Sequence, residues 1–319
     1  MFAFCKTAEI CFFADRDLTK RRNGNIVCRK DRDHIMRLDV CTRYDRLGAS
    51  SRCRYYLYEN ALRAAGFDVR FHPFFRSGYL KRLYAGGGKS RLLAAGALCR
   101  RLLELPGFGE ALLVEYELFP NLPWGFEARY LSRRRYVLNF DDNVWEKYRG
   151  NPRLEGKYDR LIRGAAGVIV ANGFLEERVR ALQPETVMIP TVVDLDNYPA
   201  AAEKFPRFTV GWIGTPVTYR YLELHAGTLR RMAAAADFEL LVIARRELES
   251  RALPGVPMRF IDWSAETEAR ELARCHAGIM PLTDDPFSRG KSAYKLIQYQ
   301  AAGRNFDIPC RKSYGRICA

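Results

Sequence analysis

Lys291, Lys295 and Gln298 follow a polar loop that carries Gly290, and that loop follows an apolar run, Gly278-Ile279-Met280. The spacing predicts a short helix with the two ammonium groups and the amide at i, i+4 and i+7. All three then share one face near the helix start. A strand, a glycine loop and a basic helix N-terminus together suit a phosphorylated ligand, because backbone N–H groups and the helix dipole already attract negative charge there. Taken alone, the same lysines fit a solvated helix face better. A second segment shifts the balance. Phe208 to Ile213 reads as a buried strand, and Gly214-Thr215-Pro216 breaks it sharply. Thr218 is positioned to cap the next helix, with Arg220 in its first turn. A cation there opposes the dipole unless an anion lies nearby.

Strand–loop–helix corners of this kind require alternating strands and helices, and the chain supplies them. Strand-like runs are Leu38 to Thr42, Asp68 to His72, Ala111 to Glu115, Tyr136 to Phe140, Gly167 to Ala171 and Thr186 to Ile189. Helical patterns cover Ser51 to Ala65, Leu154 to Arg163 and Phe174 to Ala181. After a connector marked by Pro190, Pro199 and Pro206, a second series follows: Phe208 to Ile213, Phe238 to Ile243, Met258 to Ile261 and Gly278 to Met280. This alternation predicts an α/β protein of two Rossmann-like, doubly wound domains, with ligands in a crevice at the carboxyl ends of the strands.

The motifs carry a resemblance. Gly211-Trp-Ile-Gly-Thr-Pro216, Asp262-Trp263-Ser264, Gly278-Ile-Met-Pro-Leu282, Arg289-Gly-Lys291 and Tyr294-Lys-Leu-Ile-Gln-Tyr299 together resemble glycosyltransferases of family four, which have the two-domain GT-B fold. In the N-terminal half, Arg43-Tyr-Asp-Arg-Leu-Gly-Ala-Ser-Ser-Arg52 resembles the family's first strand–glycine loop–helix. Asn139-Phe-Asp-Asp142 resembles its acceptor-side acidic corner, and Ile189-Pro-Thr-Val-Val-Asp194 its hinge. The likeness runs from about Met36 to Gly303.

The resemblance implies transfer of a sugar, with retention, from a nucleotide-diphosphate donor to a glycan or lipid-linked acceptor. Preorganised N–H groups and cations can stabilise the leaving diphosphate, so no metal or other cofactor is expected. Gly214 and Thr215 would bring the backbone close to the diphosphate, with Arg220 as a supporting cation and Lys291 and Lys295 neutralising charge. Related enzymes often carry two glutamates here. Alignment on Ala301-Ala-Gly303 puts Gln298 at the second and Gly290 at the first, so one donor contact is missing. Gly48 would let its loop approach the donor, with Ser50 or Ser51 capping the next helix, although a tight turn alone also explains that glycine. Asp142 would accept a proton from the acceptor hydroxyl or orient it. Equally, Asp141-Asp142 caps a turn. Retention itself demands no in-line base.

Composition narrows the partners. A net charge of +15 over 319 residues asks for an anion: a nucleoside diphosphate, an anionic lipid surface or nucleic acid. The last lacks any helix-turn-helix, zinc-finger or RNP pattern. Phe74 to Tyr84 and Arg133 to Arg135 mix cations with aromatic and aliphatic residues, which suits peripheral contact with anionic lipid or an ordinary solvated surface. No apolar run reaches the roughly 18 residues of a spanning helix. The start, Met1 to Phe13, carries Lys6 and Glu9 and no small-residue cleavage site, so it does not read as a signal peptide. Nine cysteines without a Cys-x-x-Cys pair, and four scattered histidines, suit a reducing cytoplasm and no structural zinc.

The expected boundaries are an extension over 1–35, an acceptor-side domain over 36–198, a linker over 199–207, a nucleotide-sugar domain over 208–303 and an aberrant tail over 304–319. The family continues past Gly303 into an apolar strand, whereas this tail has neither period, so the second domain is expected to be incomplete through truncation or frameshift. The competing reading is accordingly a non-catalytic relative without a full donor site. Three motifs fail. Gly86-Gly-Gly-Lys-Ser90 has Leu83 where a P-loop needs its first glycine, Gly107-Phe-Gly109 lacks the third glycine of a dinucleotide fingerprint, and Asp194-Leu-Asp196 suits helix capping or a turn better than a metal.

Overall fold

Runs of four to six residues that are apolar on both faces form the strands, as parallel sheets covered on both sides require. The computed structural model describes residues 19–22, 25–28, 36–199, 201–303 and 305–306. In chain order its strands are β1 (Thr19–Arg22), β2 (Asn25–Cys28), β3 (Met36–Cys41), β4 (Phe67–Phe71), β5 (Ala111–Glu115), β6 (Arg135–Phe140), β7 (Gly167–Val170), β8 (Thr186–Met188), β9 (Thr209–Ile213), β10 (Glu239–Ala244), β11 (Met258–Asp262), β12 (Ala277–Gly278) and β13 (Asn305–Phe306). The helices are α1 (Ala49–Arg54), α2 (Glu59–Ala64), α3 (Ser77–Tyr84), α4 (Arg91–Glu104), α5 (Gly125–Leu131), α6 (Lys157–Gly164), α7 (Gly173–Arg180), α8 (Pro216–Leu224), α9 (Ala226–Ala235), α10 (Glu268–Arg274), α11 (Pro286–Arg289) and α12 (Tyr294–Ala301).

The chain divides into two compact units, one of Met1–Thr191 with Arg289–Ser292, the other of Val192–Ser288 with Ala293–Ala319. The first holds a six-stranded parallel sheet in the order β4-β3-β5-β6-β7-β8. Its register sets Leu38 beside Val69 on one side and Ala111 on the other. Leu112, Val114, Leu138, Phe140, Val168 and Val170 join one buried core with Leu161, Ile162 and Leu175 from the helices. The single helix expected over Ser51 to Ala65 is broken into α1, a 3-10 turn at Tyr56–Tyr58 and α2, because Tyr55 leaves helical geometry (φ −133°, ψ −57°). Three buried tyrosines within four positions explain the break, since aromatic side chains lose rotamer freedom against the preceding turn.

The second unit holds a parallel sheet in the order β11-β10-β9-β12-β13. Successive residues feed opposite cores. Ile213, Leu241 and Ile243 pack with Leu272, Leu296 and Tyr299. Val210, Trp212, Leu240 and Val242 pack with Tyr219, Leu222 and Leu229 on the other face. That two-fold alternation, with helices on both sides, is a doubly wound sheet. Three strands occur where the sequence pattern predicts none. The β1–β2 pair is antiparallel, with Thr19 opposite Cys28, and the backbone of Asn305–Phe306 runs parallel beside β12. Most of the expected extension and tail lies outside the described residues. In each unit the strand order reverses beside its first long parallel strand, at β3/β5 and at β9/β12, and crevices open at the carboxyl ends of such switch points.

Candidate functional site

At the β3/β5 switch point the first unit concentrates charge. β5 ends in Glu115, and the next residue, Tyr116, takes the left-handed conformation (φ 61°), which non-glycine residues rarely adopt and which clusters at functional sites. Buried Glu115 accepts hydrogen bonds from the backbone N–H of Arg43 (2.7 Å), from Ser51 Oγ (2.6 Å) and from Ser50 Oγ (2.9 Å). It thereby holds the 43–51 loop from below. Burial, with Asp141 nearby, pushes its carboxyl up to about 7 against the pull of those donors.

Glu117 sits in a ring of cations. Lys157 Nζ lies 2.8 Å from it, Lys147 Nζ 3.2 Å and Arg43 Nη1 3.7 Å, and the hydroxyls of Tyr148 and Tyr158 donate at 2.9 and 3.0 Å. Burial would raise its pKa, but Lys147, Lys157 and Arg43 outweigh that and hold it below the usual range. Fully buried Lys157 also bridges to Glu127 at 2.5 Å and donates to the carbonyl of Phe119 at 2.7 Å. Lys147 has an exposed stem and an ammonium drawn inward. Loss of water and the neighbouring Arg43 bring it down to about 8.

The acidic corner after β6 lies in the same unit. Tyr116 OH donates to Asp141. Asp142 is half-buried, and loss of water pushes it up to about 7, opposed by the charge of Lys291 and reinforced by Asp141. Lys291 comes close because the Arg289–Ser292 segment packs here. The Nδ2 of Asn172 donates to the carbonyls of Gly290 and Lys291, both at 3.1 Å, while its Oδ1 accepts from Leu175 N–H and caps α7. Gly290 lies so close to Asn143 that a Cβ on it would meet the asparagine Cβ at 2.4 Å.

In the second unit the corner after β9 is made by sterics. A Cβ on Gly214 would lie 2.3 Å from the ring of Trp212. Over the same ring, 4.5 Å from its centroid, stands the ammonium of Lys295. The N–H of Gly214 donates to the carbonyl of Ile243 (3.1 Å), and that of Thr215 to Thr218 Oγ1 (3.0 Å). Both groups assigned to close approach are therefore already engaged within the unit. Gln298 is 2% exposed, and its Nε2 finds no hydrogen-bond partner among the described residues.

Several expectations are corrected. Lys291, Lys295 and Gln298 do not share a helix face: α12 starts only at Tyr294, after Ala293 turns left-handed (φ 55°), and Lys291 lies with the first unit. The pull of Asn172 and the fit of Gly290 on Asn143 explain why the helix starts late. Thr215, not Thr218, caps α8, in a capping box with Thr218 and with Pro216 in the first turn. Arg220 consequently falls in the second turn, exposed, 5.0 Å over the ring of Tyr221. Gly48 itself is the N-cap of α1, where a Cβ would meet Tyr44 at 2.3 Å, and Ser50 and Ser51 serve Glu115 rather than the cap. Asp194 accepts from Asp196 N–H as a turn cap. The sequence reading missed Glu115, Glu117, Lys147, Lys157 and Asn172. Two carboxylates directly after an apolar run, Glu115-Tyr-Glu117, and an asparagine at a strand–helix junction were the available signals.

Two doubly wound α/β units with glycine corners at their switch points define the GT-B glycosyltransferase fold. Among solved structures, the chain is similar to an α-glucosyltransferase solved in complex with UDP and a 13-mer DNA containing an HMU base. That likeness has 12% identity and a TM-score of 0.52, and covers 86% of this chain and 79% of that one. It is also similar to HepE of Anabaena, solved in complex with UDP-glucose, at 12% identity over 85% of this chain and 79% of that one, TM-score 0.50. At such identity the likeness is one of fold. No family model matches the chain, and no curated protein sequence does.

Proposed function

We propose that the chain is a glycosyltransferase that moves a sugar, with retention and without a metal, from a nucleotide-diphosphate donor to a glycan or lipid-linked acceptor. The observation that carries this reading is the corner after β9: Gly214, with no room for a side chain, beside a lysine ammonium held over Trp212. A backbone that approaches closely and a fixed cation are what a departing diphosphate needs, because its charge grows as the glycosidic bond breaks. The two solved proteins of the same fold, crystallised with UDP and with UDP-glucose, support the same class of donor. Lys295 would meet the diphosphate, and Gly290 and Lys291 keep the donor-binding role that the resemblance implies. Asp142, with a carboxyl poised near 7, would orient the acceptor hydroxyl or take its proton.

A common nucleoside diphosphate should raise the melting temperature of the full chain, and Lys295→Ala should remove that protection without lowering the unliganded melting point by more than a few degrees. If no nucleoside diphosphate of the common panel shifts the melting curve, the donor reading fails. The non-catalytic reading is favoured by Gly290, which supplies no carboxylate, and by the engaged N–H groups of Gly214 and Thr215. Protection by the diphosphate with no hydrolysis of any nucleotide sugar would select it.

A further inference from the structure

Helix α4 packs Ala94, Ala97 and Leu98 inward and carries a second apolar stripe on its outer side. Leu92, Gly96, Cys99 and Leu103 follow one another at i, i+4, i+7 and i+11 and form one stripe. A surface helix ordinarily buries such a stripe. Here Leu92 and Leu103 are each 82% exposed, Leu102 is 49% exposed, and Cys99 is exposed as well. The inward side also sinks a guanidinium: Arg101 is 1% exposed and donates to the carbonyl of His72 at 2.6 Å. Arg100 is likewise drawn inward, to the carbonyl of Pro73 (3.0 Å), and Glu104 faces both arginines at 3.5 and 3.6 Å. The one acid of the helix is thus kept off the outer face. At its C-terminal end, Tyr130 of α5 donates to the carbonyl of Leu105 (2.8 Å), which brings α5 alongside, and Phe126 of that helix is 62% exposed.

The stretch that leads into this stripe carries charge of one sign. Arg76, Lys81, Arg82, Lys89 and Arg91 are all exposed, and no Asp or Glu occurs from Arg76 to Leu103. Leucines that project from a helix entered through a run of exposed cations match an interface where acyl chains lie beneath anionic headgroups. No described helix is long and apolar enough to cross a membrane, so the contact would lie on the surface.

We propose that the outer face of α4, with Phe126, docks on an anionic lipid bilayer. The docking stands on its own residues, whether or not the donor reading holds. The full chain, spun with vesicles of phosphatidylcholine alone or of an equimolar mixture with phosphatidylglycerol, should pellet only with the mixture. Added salt should release it, because surface attraction is screened. Leu92→Glu with Leu103→Glu should weaken association on the order of tenfold or more, and so should Lys89→Glu with Arg91→Glu. Both pairs are solvent-exposed, so their melting temperatures and any nucleoside diphosphate protection should match the parent. Failure to pellet with the anionic vesicles would overturn the proposal. Equal pelleting by the leucine variant would overturn it too, as would light scattering that shows a dimer which the leucine variant abolishes, since a second copy would then cover the face.

Discussion

The carboxyl edges of the two sheets solve the same positioning problem with different physics. In the first unit the edge is crowded with charge: Glu115, Glu117, Asp141 and Asp142 face Arg43, Lys147, Lys157 and Lys291. In the second, the glycine that follows β9 and the one that ends β12 are fitted against aromatic rings, and the ammonium at the corner lies over an indole. Loop geometry in the first unit should therefore depend on buried pairs that cannot be halved. In the second it should depend on space that cannot be filled.

The largest effect should come from halving a buried pair. Lys157→Met leaves Glu127 buried without the ammonium 2.5 Å from it, and takes from Glu117 one of its three cations, at 2.8 Å. Removing one partner of a buried pair costs about 3–5 kcal/mol, since the remaining charge is desolvated and uncompensated. Urea denaturation should show that loss. A drop of under about 1 kcal/mol would mean that water reaches this network and that the contrast between the units is false.

Filling space in the second unit should cost less. A Cβ on Gly278 would lie 2.4 Å from the ring of Tyr299, whose hydroxyl is tied to the carbonyl of Ile279 at 2.9 Å. Gly278→Ala should destabilise by about 1–3 kcal/mol, as overpacking does. In a Tyr299→Ala background the added methyl should cost nothing further, and that non-additivity in a double-mutant cycle separates steric conflict from loss of backbone freedom. Equal costs in both backgrounds would show that sterics do not shape this edge.

This contrast also explains what could be read in advance. The strand Ala111–Glu115 is predicted and found with the same ends, because a run buried on both faces needs no information from elsewhere in the chain. Gly214 and Gly48 were legible as tight corners for the same local reason. The roles of Glu117 and Lys157 were not, since forty residues separate partners that only the fold brings together. The late start of α12 was hidden too. Periodicity continues back through Lys291, but Asn172, far earlier in the chain, binds the carbonyls of Gly290 and Lys291, and Ala293 turns left-handed before the helix begins. Local patterns specify elements, whereas buried polar contacts specify where those elements begin.

The smallest expected effect is a slope rather than a loss. Glu115, Glu127 and Asp142, all in the first unit, are displaced upward, whereas Glu247 and Asp285 of the second move down. Asp142 goes from 3.8 to about 7 on folding, so between those values the folded chain binds the extra proton. Its contribution to stability is then fully present below about pH 4 and lost as pH rises through about 7. Glu115 adds a parallel decline from 4.5 to about 7. Asp142→Asn should flatten part of that fall in the urea midpoint across this window and leave the Glu115 share in place. Lys291→Met should do the reverse. Lys291 is the charge that holds Asp142 down, so without it the decline should steepen and extend to higher pH. An unchanged profile in both variants would show that Asp142 titrates as a solvated carboxylate, and that the charged edge of the first unit ends at Glu115.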